Sequence, residues 1–225
     1  MSAVFITATG TEIGKTHVAT GLIRHWRAAG QPAEALKPVV TGFNPATAKA
    51  SDPGLLLSAL GQPVTPAGID RIAPFRFAAA LAPDMAARRE HRAIDYHALL
   101  AFCRGAIAAR QDTLLIEGIG GIMVPLDDRH TVLDWMLALR LPLLLVTGSY
   151  LGSISHTLSC LDVLARRELG IKALVVNETP GSTVSMSDTL DTLAKFARSV
   201  PIVGLRRMPT ADVDQAAFQR IADLL

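Results

Sequence analysis

The stretch from Val4 to Trp26, VFITATGTEIGKTHVATGLIRHW, runs from apolar residues through a polar, glycine-containing turn into a helical pattern. Val4–Ala8 has the length and apolarity of a buried strand. Lys15–Ala29 then sets Val18, Leu22 and Trp26 on one helical face, with Ala19 and Ile23 beside them, before Gly30 ends it. Between the two stands Gly14-Lys15-Thr16, the close of the phosphate-loop pattern G-x-x-x-x-G-K-[ST]. That pattern's first glycine falls at position 9, where this chain has Thr9. A phosphate cradle needs inward-pointing backbone amides rather than that particular glycine, and Gly10 supplies the turn one residue later. The new helix aims its positive end at the same point. Lys15 can reach a terminal phosphate and Thr16 can offer a hydroxyl to Mg²⁺. A lysine about 4 Å from a phosphate charge is worth on the order of 4 kcal/mol at an effective dielectric near 20. The expected ligand is a nucleoside triphosphate with Mg²⁺.

The rest of the chain repeats the alternation. AEALKPVV reads as a second strand, and Thr113–Glu117, Leu141–Thr147, Lys172–Asn177 and Pro201–Leu205 as four more. Helical patterns cover Ile94–Ala109, Thr131–Leu139 (opened by a near capping box, TVLD), Ile154–Leu169, Ser187–Arg198 and Gln215–Leu225. Phe43–Ser51 reads as a loop. Near-continuous apolar strands separated by helices imply an α/β chain: a mainly parallel sheet with helices on both faces, one P-loop nucleotide-hydrolase-like domain over residues 1–225.

With 225 residues, half of them hydrophobic, the core needs no disulfides. Cys103 and Cys160 lie far apart in helical segments and read as reduced core thiols of a cytoplasmic protein. No basic segment precedes an apolar run at the start, and no window of eighteen uninterrupted apolar residues occurs, so neither a leader nor a membrane span is expected. The net charge is +2, and ARRE and LARRELG mix signs. Nucleic acid is therefore not an expected partner.

Ligands of such sheets sit beyond the carboxyl ends of the strands. Glu117 ends an apolar strand there, ahead of the turn Gly118-Ile119-Gly120-Gly121, and is a candidate Mg²⁺ ligand; a helix cap or a surface acid is the plainer role. Asp52 opens a helix in SDPGLLL. It is an ordinary N-cap or, with Glu117 and Thr16, completes a metal site. Glu12, inside the loop, either steers a cationic substrate or binds the loop's own amides. Lys37 ends the second strand and is held extended by Pro38. It points into the crevice or snorkels to its edge, about where a transferring phosphoryl group needs a cation. Thr41 adds a hydroxyl nearby.

These segments together resemble the dethiobiotin synthetase family. The likeness runs, in order, through FITATGTEIGKTHVATGL, ALKPVVTG, SDPGLLLSAL, LLIEGIGGIMVPL, TVLDWMLALRLPLLLVTGSYLGSISHTL and LVVNE. It implies a P-loop α/β homodimer that is an ATP-dependent cyclo-ligase of biotin synthesis. Such an enzyme inserts CO₂ between the two amines of 7,8-diaminononanoate through a carbamate and a carbamic-phosphoric anhydride, giving dethiobiotin, ADP and phosphate. By position, the resemblance assigns Thr11, Glu12, Ile13, Gly14, Lys15, Thr16 and His17 to the nucleotide loop. It assigns Lys37, Lys15, Thr11 and Glu12 to catalysis, the two lysines bracketing the carbamate and γ-phosphate, and Thr16, Asp52 and Glu117 to Mg²⁺. Thr11 and Thr41 fall to the substrate, Gly118, Ile119, Gly120 and Gly121 to the phosphates and carbamate, and Asn177 to the adenine edge. Gly152, Ser153 and Ser155 match a segment that takes the substrate's carboxylate from the partner subunit, at a helix start suited to an anion.

The chain departs from the family pattern at Ala8 and Gly10, at Ser155 (often asparagine), at Asp84 (often histidine) and around Arg206–Met208. Asp84 either attracts the diamine's ammonium or lies outside the site. Two other classes fit a P-loop chain. A partitioning-type ATPase switch would carry an early lysine in a glycine-rich loop and a basic or membrane-binding helix; here the loop has threonines and the last helix, DQAAFQRIADLL, has no basic face. An amidating ligase would add a glutaminase domain, for which the chain has no room.

Overall fold

The computed structural model describes residues 3–207 and 214–225. The first strand, β1 (Ala3–Ala8), is buried along its whole length and leads through the phosphate loop into α1 (Lys15–Ala28). The segment read as one second strand is two: β2 (Ala33–Leu36) and β3 (Val39–Thr41). Pro38 has no N–H to give a ladder, and the chain leaves the main sheet at Lys37–Pro38. β3 then pairs in parallel with β4 (Phe75–Phe77), forming a separate two-stranded sheet. Between β3 and β4 lie a 3₁₀ helix (Pro45–Ala50) within the expected loop, α2 (Asp52–Ala59) and α3 (Pro66–Ile72). After β4 come α4 (Pro83–Arg89), α5 (Tyr96–Ala109), β5 (Thr113–Glu117), α6 (Val132–Leu139), β6 (Leu143–Gly148), α7 (Ser153–Arg166), β7 (Ile171–Asn177), α8 (Met186–Phe196), β8 (Ile202–Leu205) and α9 (Gln215–Leu224).

The six strands of the main sheet are all parallel, in the order β2-β5-β1-β6-β7-β8. On one side of β1 the chain first sets β2 at the edge and later fills the place between them with β5, then crosses to the other side with β6. The crevice at the carboxyl ends of β1, β5 and β6 is therefore the place where a ligand binds in such a sheet. β1 and β6 are buried at every position, as a sheet covered on both faces requires. Phe5 of β1 meets Trp135 of α6 edge to face, with ring centroids 4.9 Å apart, which contributes about 0.5–1.5 kcal/mol beyond the area buried. On the opposite side of the loop, Gly21 lets α9 lie close on α1: a Cβ there would fall 2.0 Å from Phe218 Cζ.

The TVLD start of α6 is a full capping box. The Thr131 side chain accepts from Asp134 N–H, and the Asp134 carboxylate accepts from Thr131 N–H. Both cysteines are free and buried, and burial pushes Cys103 up to about 12 and Cys160 up to about 11. Among the described residues, no helix is long and apolar enough to cross a membrane.

Candidate active site

The loop between β1 and α1 puts two residues in left-handed backbone: Glu12, with φ 58°, and Gly14, with φ 103°. Glycine tolerates this, whereas glutamate does so at a cost, and such strain collects at functional loops. A Cβ on Gly14 would fall 2.2 Å from Asn177 Nδ2. Asn177, at the end of β7, donates from that nitrogen to Ile13 O at 2.9 Å and so fixes the loop's far side. No side chain caps α1, which leaves its first amides to a ligand. His17 packs one side against the Phe218 ring, and the partial desolvation there, followed by the Arg207 and Arg24 charges, lowers its pKa.

The parallel register brings the charged groups together. Leu36 of β2 lies opposite Ile116 of β5, so the next residues, Lys37 and Glu117, leave adjacent strands at the same level. Lys37 Nζ stands 2.7 Å from Glu117 Oε1, 2.6 Å from Gly118 O and 3.4 Å from Asp52 Oδ2. Thr16 donates from its hydroxyl to the same Glu117 Oε1 at 2.7 Å. Lys37 and Glu117 are 2% and 1% exposed, so Lys37 neither snorkels to the crevice edge nor meets water, and Glu117 is neither a cap nor a surface acid. Burial alone would push Lys37 down, but the Glu117 and Asp52 carboxylates outweigh it and hold its pKa above the ordinary lysine value.

Lys15 Nζ donates to Gly120 O at 2.9 Å and Gly10 O at 3.3 Å. Burial, and then the Lys37 charge, lower it to about 8. The glycine turn after β5 thus holds both lysine heads by its carbonyls, Lys37 at Gly118 and Lys15 at Gly120. Gly121 lies against the loop itself, where a Cβ would come 3.2 Å from Thr9 O. Asp52 is not the cap of α2. Ser51 caps it, and Asp52 is the first helical residue, its carboxylate turned toward Lys37.

A cavity of about 650 Å³ opens over this cluster, lined by Thr11, Glu12, Gly14, Lys15, Thr16, Lys37, Thr41, Asp52, Glu117, Ile119 and Gly120. Its apolar wall is Val40, Ala80–Pro83 and Val124, which the sequence reading did not single out. The start of α4 carries part of that wall, and its seven residues, with no side-chain cap, left little periodic signal to find. Ile13, His17, Gly118, Gly121 and Asn177 surround the loop or the turn without lining the cavity. Gly152, Ser153 and Ser155 stand at the N-terminus of α7 and do not line it either. Asp84 also lies outside the lining and pairs with Arg88 at 2.9 Å. Of the Arg206–Met208 stretch, Met208 is outside the described residues; Arg207 N–H donates to the Glu178 carboxylate at 2.8 Å.

The donor set suits a hard divalent cation. It offers two carboxylates and a hydroxyl, and Glu117 Oε2 is buried with no hydrogen-bond partner. Among the described residues no group of three or more His, Cys, Asp or Glu side chains could hold a metal, so such an ion needs further oxygens from a ligand. That is the usual habit of Mg²⁺ beside phosphates.

A family model described as an AAA domain matches residues 2–209. The ATP-dependent dethiobiotin synthetase BioD of Acidiphilium cryptum (strain JF-5) is 48% identical over 202 residues, covering 89% of this chain and 91% of that protein. The protein of the same name from Methylobacterium nodulans is 46% identical, covering 88% and 90%. That of Caulobacter vibrioides (strain NA1000 / CB15N) is 44% identical, covering 92% and 93%. Among solved structures, the cell division ATPase MinD of Pyrococcus furiosus superposes with a TM-score of 0.55 at 15% identity, covering 100% of this chain and 98% of that one. A ParA family ATPase from Chlorobium tepidum TLS gives 0.54 at 16%, covering 100% and 92%. At such identities the two structures share the P-loop α/β fold and nothing finer.

Proposed function

Because the chain belongs to the ATP-dependent dethiobiotin synthetase family, we propose that the cavity over Lys15, Lys37 and Glu117 is where it joins a diamine, CO₂ and ATP. The protein is an enzyme, an ATP-dependent ligase of biotin biosynthesis. The observation that carries the site assignment is the meeting of two buried lysines, two carboxylates and the loop threonine around one cavity.

The substrate reading is 7,8-diaminononanoate. One amine attacks CO₂ and loses a proton to give a carbamate. A carbamate oxygen then attacks the γ-phosphorus and ADP leaves. The second amine attacks the carbonyl carbon of that anhydride and gives up a proton, and phosphate departs as the ring closes. Little of this requires covalent help from the protein, so positioning and charge must supply the rate. Lys15, held over the loop by Gly10 and Gly120, meets the terminal phosphate oxygens, and the free amides at the start of α1 meet the others. Lys37, beside Glu117 and Asp52, balances charge as the phosphoryl group moves. Thr11 and Thr41 line the substrate side, and the apolar wall takes the hydrocarbon. Thr16, Asp52 and Glu117 would hold Mg²⁺, which draws charge from the phosphates when bound. On this reading Asn177, which donates to Ile13 O, reads adenine once a nucleotide occupies the loop.

The working enzyme is a homodimer on this reading. Gly152, Ser153 and Ser155 do not line their own chain's cavity, and Leu151 just ahead of them is 86% exposed. Both suit a segment that enters a partner's cavity to bind the substrate carboxylate. Free buried thiols suit a reducing, cytoplasmic setting.

Purified protein given ATP, Mg²⁺, labelled bicarbonate and the diamine is expected to release ADP and phosphate only when the diamine is present. The label should appear in a product of dethiobiotin mass. Hydrolysis that ignores the diamine but responds to DNA or lipid would replace this reading with the ATPase-switch one.

A further inference from the structure

We infer that Lys37 is a tethered stand-in for the divalent cation: without nucleotide, its ammonium occupies the place between Glu117 and Asp52, beside the Thr16 hydroxyl, and metal enters only as Lys37 leaves. This rests on the assignment of those three residues to Mg²⁺. Its grounds are geometric. Lys37 Nζ sits on the metal set itself, 2.7 Å from Glu117 Oε1 and 3.4 Å from Asp52 Oδ2, rather than across the cavity from it. The Thr16 hydroxyl shares that same oxygen. Mg²⁺ takes a carboxylate oxygen at about 2.0–2.1 Å, closer than the ammonium does, so ion and ammonium on Glu117 Oε1 would stand charge against like charge. Glu117 is buried, and its second oxygen has no partner, so a single ammonium leaves the site under-coordinated. An ammonium satisfies a cation site only partly, and a better cation can displace it.

Metal alone cannot offer Lys37 anywhere to go. The Lys37 backbone is fixed by its N–H donating to Ile72 O and by Pro38, so only the four-carbon stem can move. Phosphate oxygens in the cavity give the ammonium a new anionic partner while bringing the missing ligands to the metal. Nucleotide and metal therefore bind as one event, and the same event delivers Lys37 to the phosphoryl group. A bare divalent ion finds the place taken.

The test is Mn²⁺ binding to the nucleotide-free enzyme, followed by electron paramagnetic resonance. The wild type should leave Mn²⁺ free at micromolar concentrations. Lys37→Met should tighten Mn²⁺ binding at least tenfold, and adding Glu117→Gln to Lys37→Met should abolish the gain. Equal affinity in wild type and Lys37→Met would overturn the inference. So would micromolar binding by the wild type that Glu117→Gln removes. Should Lys37→Met not fold, the side-chain ¹⁵N signal of Lys37 in the wild type decides. It should ignore Mg²⁺ alone and shift with Mg²⁺ plus ADP; a shift with Mg²⁺ alone refutes the idea. Failure of the underlying metal assignment looks different: Glu117→Gln would then leave Mg²⁺-dependent ADP binding unchanged.

Discussion

Lys15 and Lys37 are both buried ammonium groups, yet their surroundings push them in opposite directions. Lys15 rests on two carbonyls and feels Lys37 as a like charge, so burial wins and its pKa falls to about 8. Lys37 rests on Glu117 and Asp52, and the carboxylates win. The two should therefore respond differently to removal. Lys37→Ala strands the Glu117 carboxylate in the interior, and breaking a buried pair in this way costs about 3–5 kcal/mol. The nucleotide-free variant should melt earlier than wild type. Its turnover should fall about 10²–10³-fold, the loss typical of one preorganised electrostatic donor, while binding of an ATP analogue persists. Lys15→Ala should weaken both turnover and binding. Calorimetric titration with the analogue separates the two cases, and a normal rate in Lys37→Ala would remove that lysine from the chemistry.

At the level of single elements, local signals set starts and stops, and packing sets the rest. α6 begins where TVLD says it should, because a capping box satisfies two orphan amides with residues three apart. Burial alone would raise the Asp134 carboxyl, but hydrogen bonds from the Thr131 amide and hydroxyl outweigh it and hold its pKa below 3.8. A carboxyl whose folded pKa is depressed stabilises the fold above its unfolded value and loses that contribution as pH falls through the folded one. Asp134→Ala should therefore cost about 1 kcal/mol near neutral pH. Urea titrations should show the gap from wild type closing below pH 3.8. A gap independent of pH would mean the cap works without its charge. Elsewhere local reading fell short. AEALKPVV has strand composition throughout, yet the missing N–H of Pro38 divides it between two sheets. α3 and α4 have seven residues each, about two turns, too short for a 3.6-residue period to stand out. Glu12 in left-handed backbone carries no composition signal, since glutamate is not a residue that announces such a turn.

For the whole molecule, the question is whether one chain makes one site. If the α7 start of each protomer serves its partner's cavity, two differently crippled chains should complement each other. Lys37→Ala lacks the lysine, and Gly152→Val spoils a glycine at φ 97° that a branched residue cannot adopt without strain. A heterodimer of the two has one cavity with both defects and one with neither. Equal mixing after dissociation should then restore about a quarter of wild-type activity, from two nearly inactive parents. Mixtures no more active than the parents would place Gly152 in its own chain's site or outside the chemistry. The amino-acid sequence determined the alternation of strands and helices, the phosphate loop and the candidate charged residues, because each is written in neighbours a few positions apart. Only the tertiary structure decided that Lys37 lies between Glu117 and Asp52, the acids proposed to hold the metal. The contact with Glu117 joins residues eighty positions apart, and it exists because β2 pairs with β5 in the register that sets Leu36 opposite Ile116.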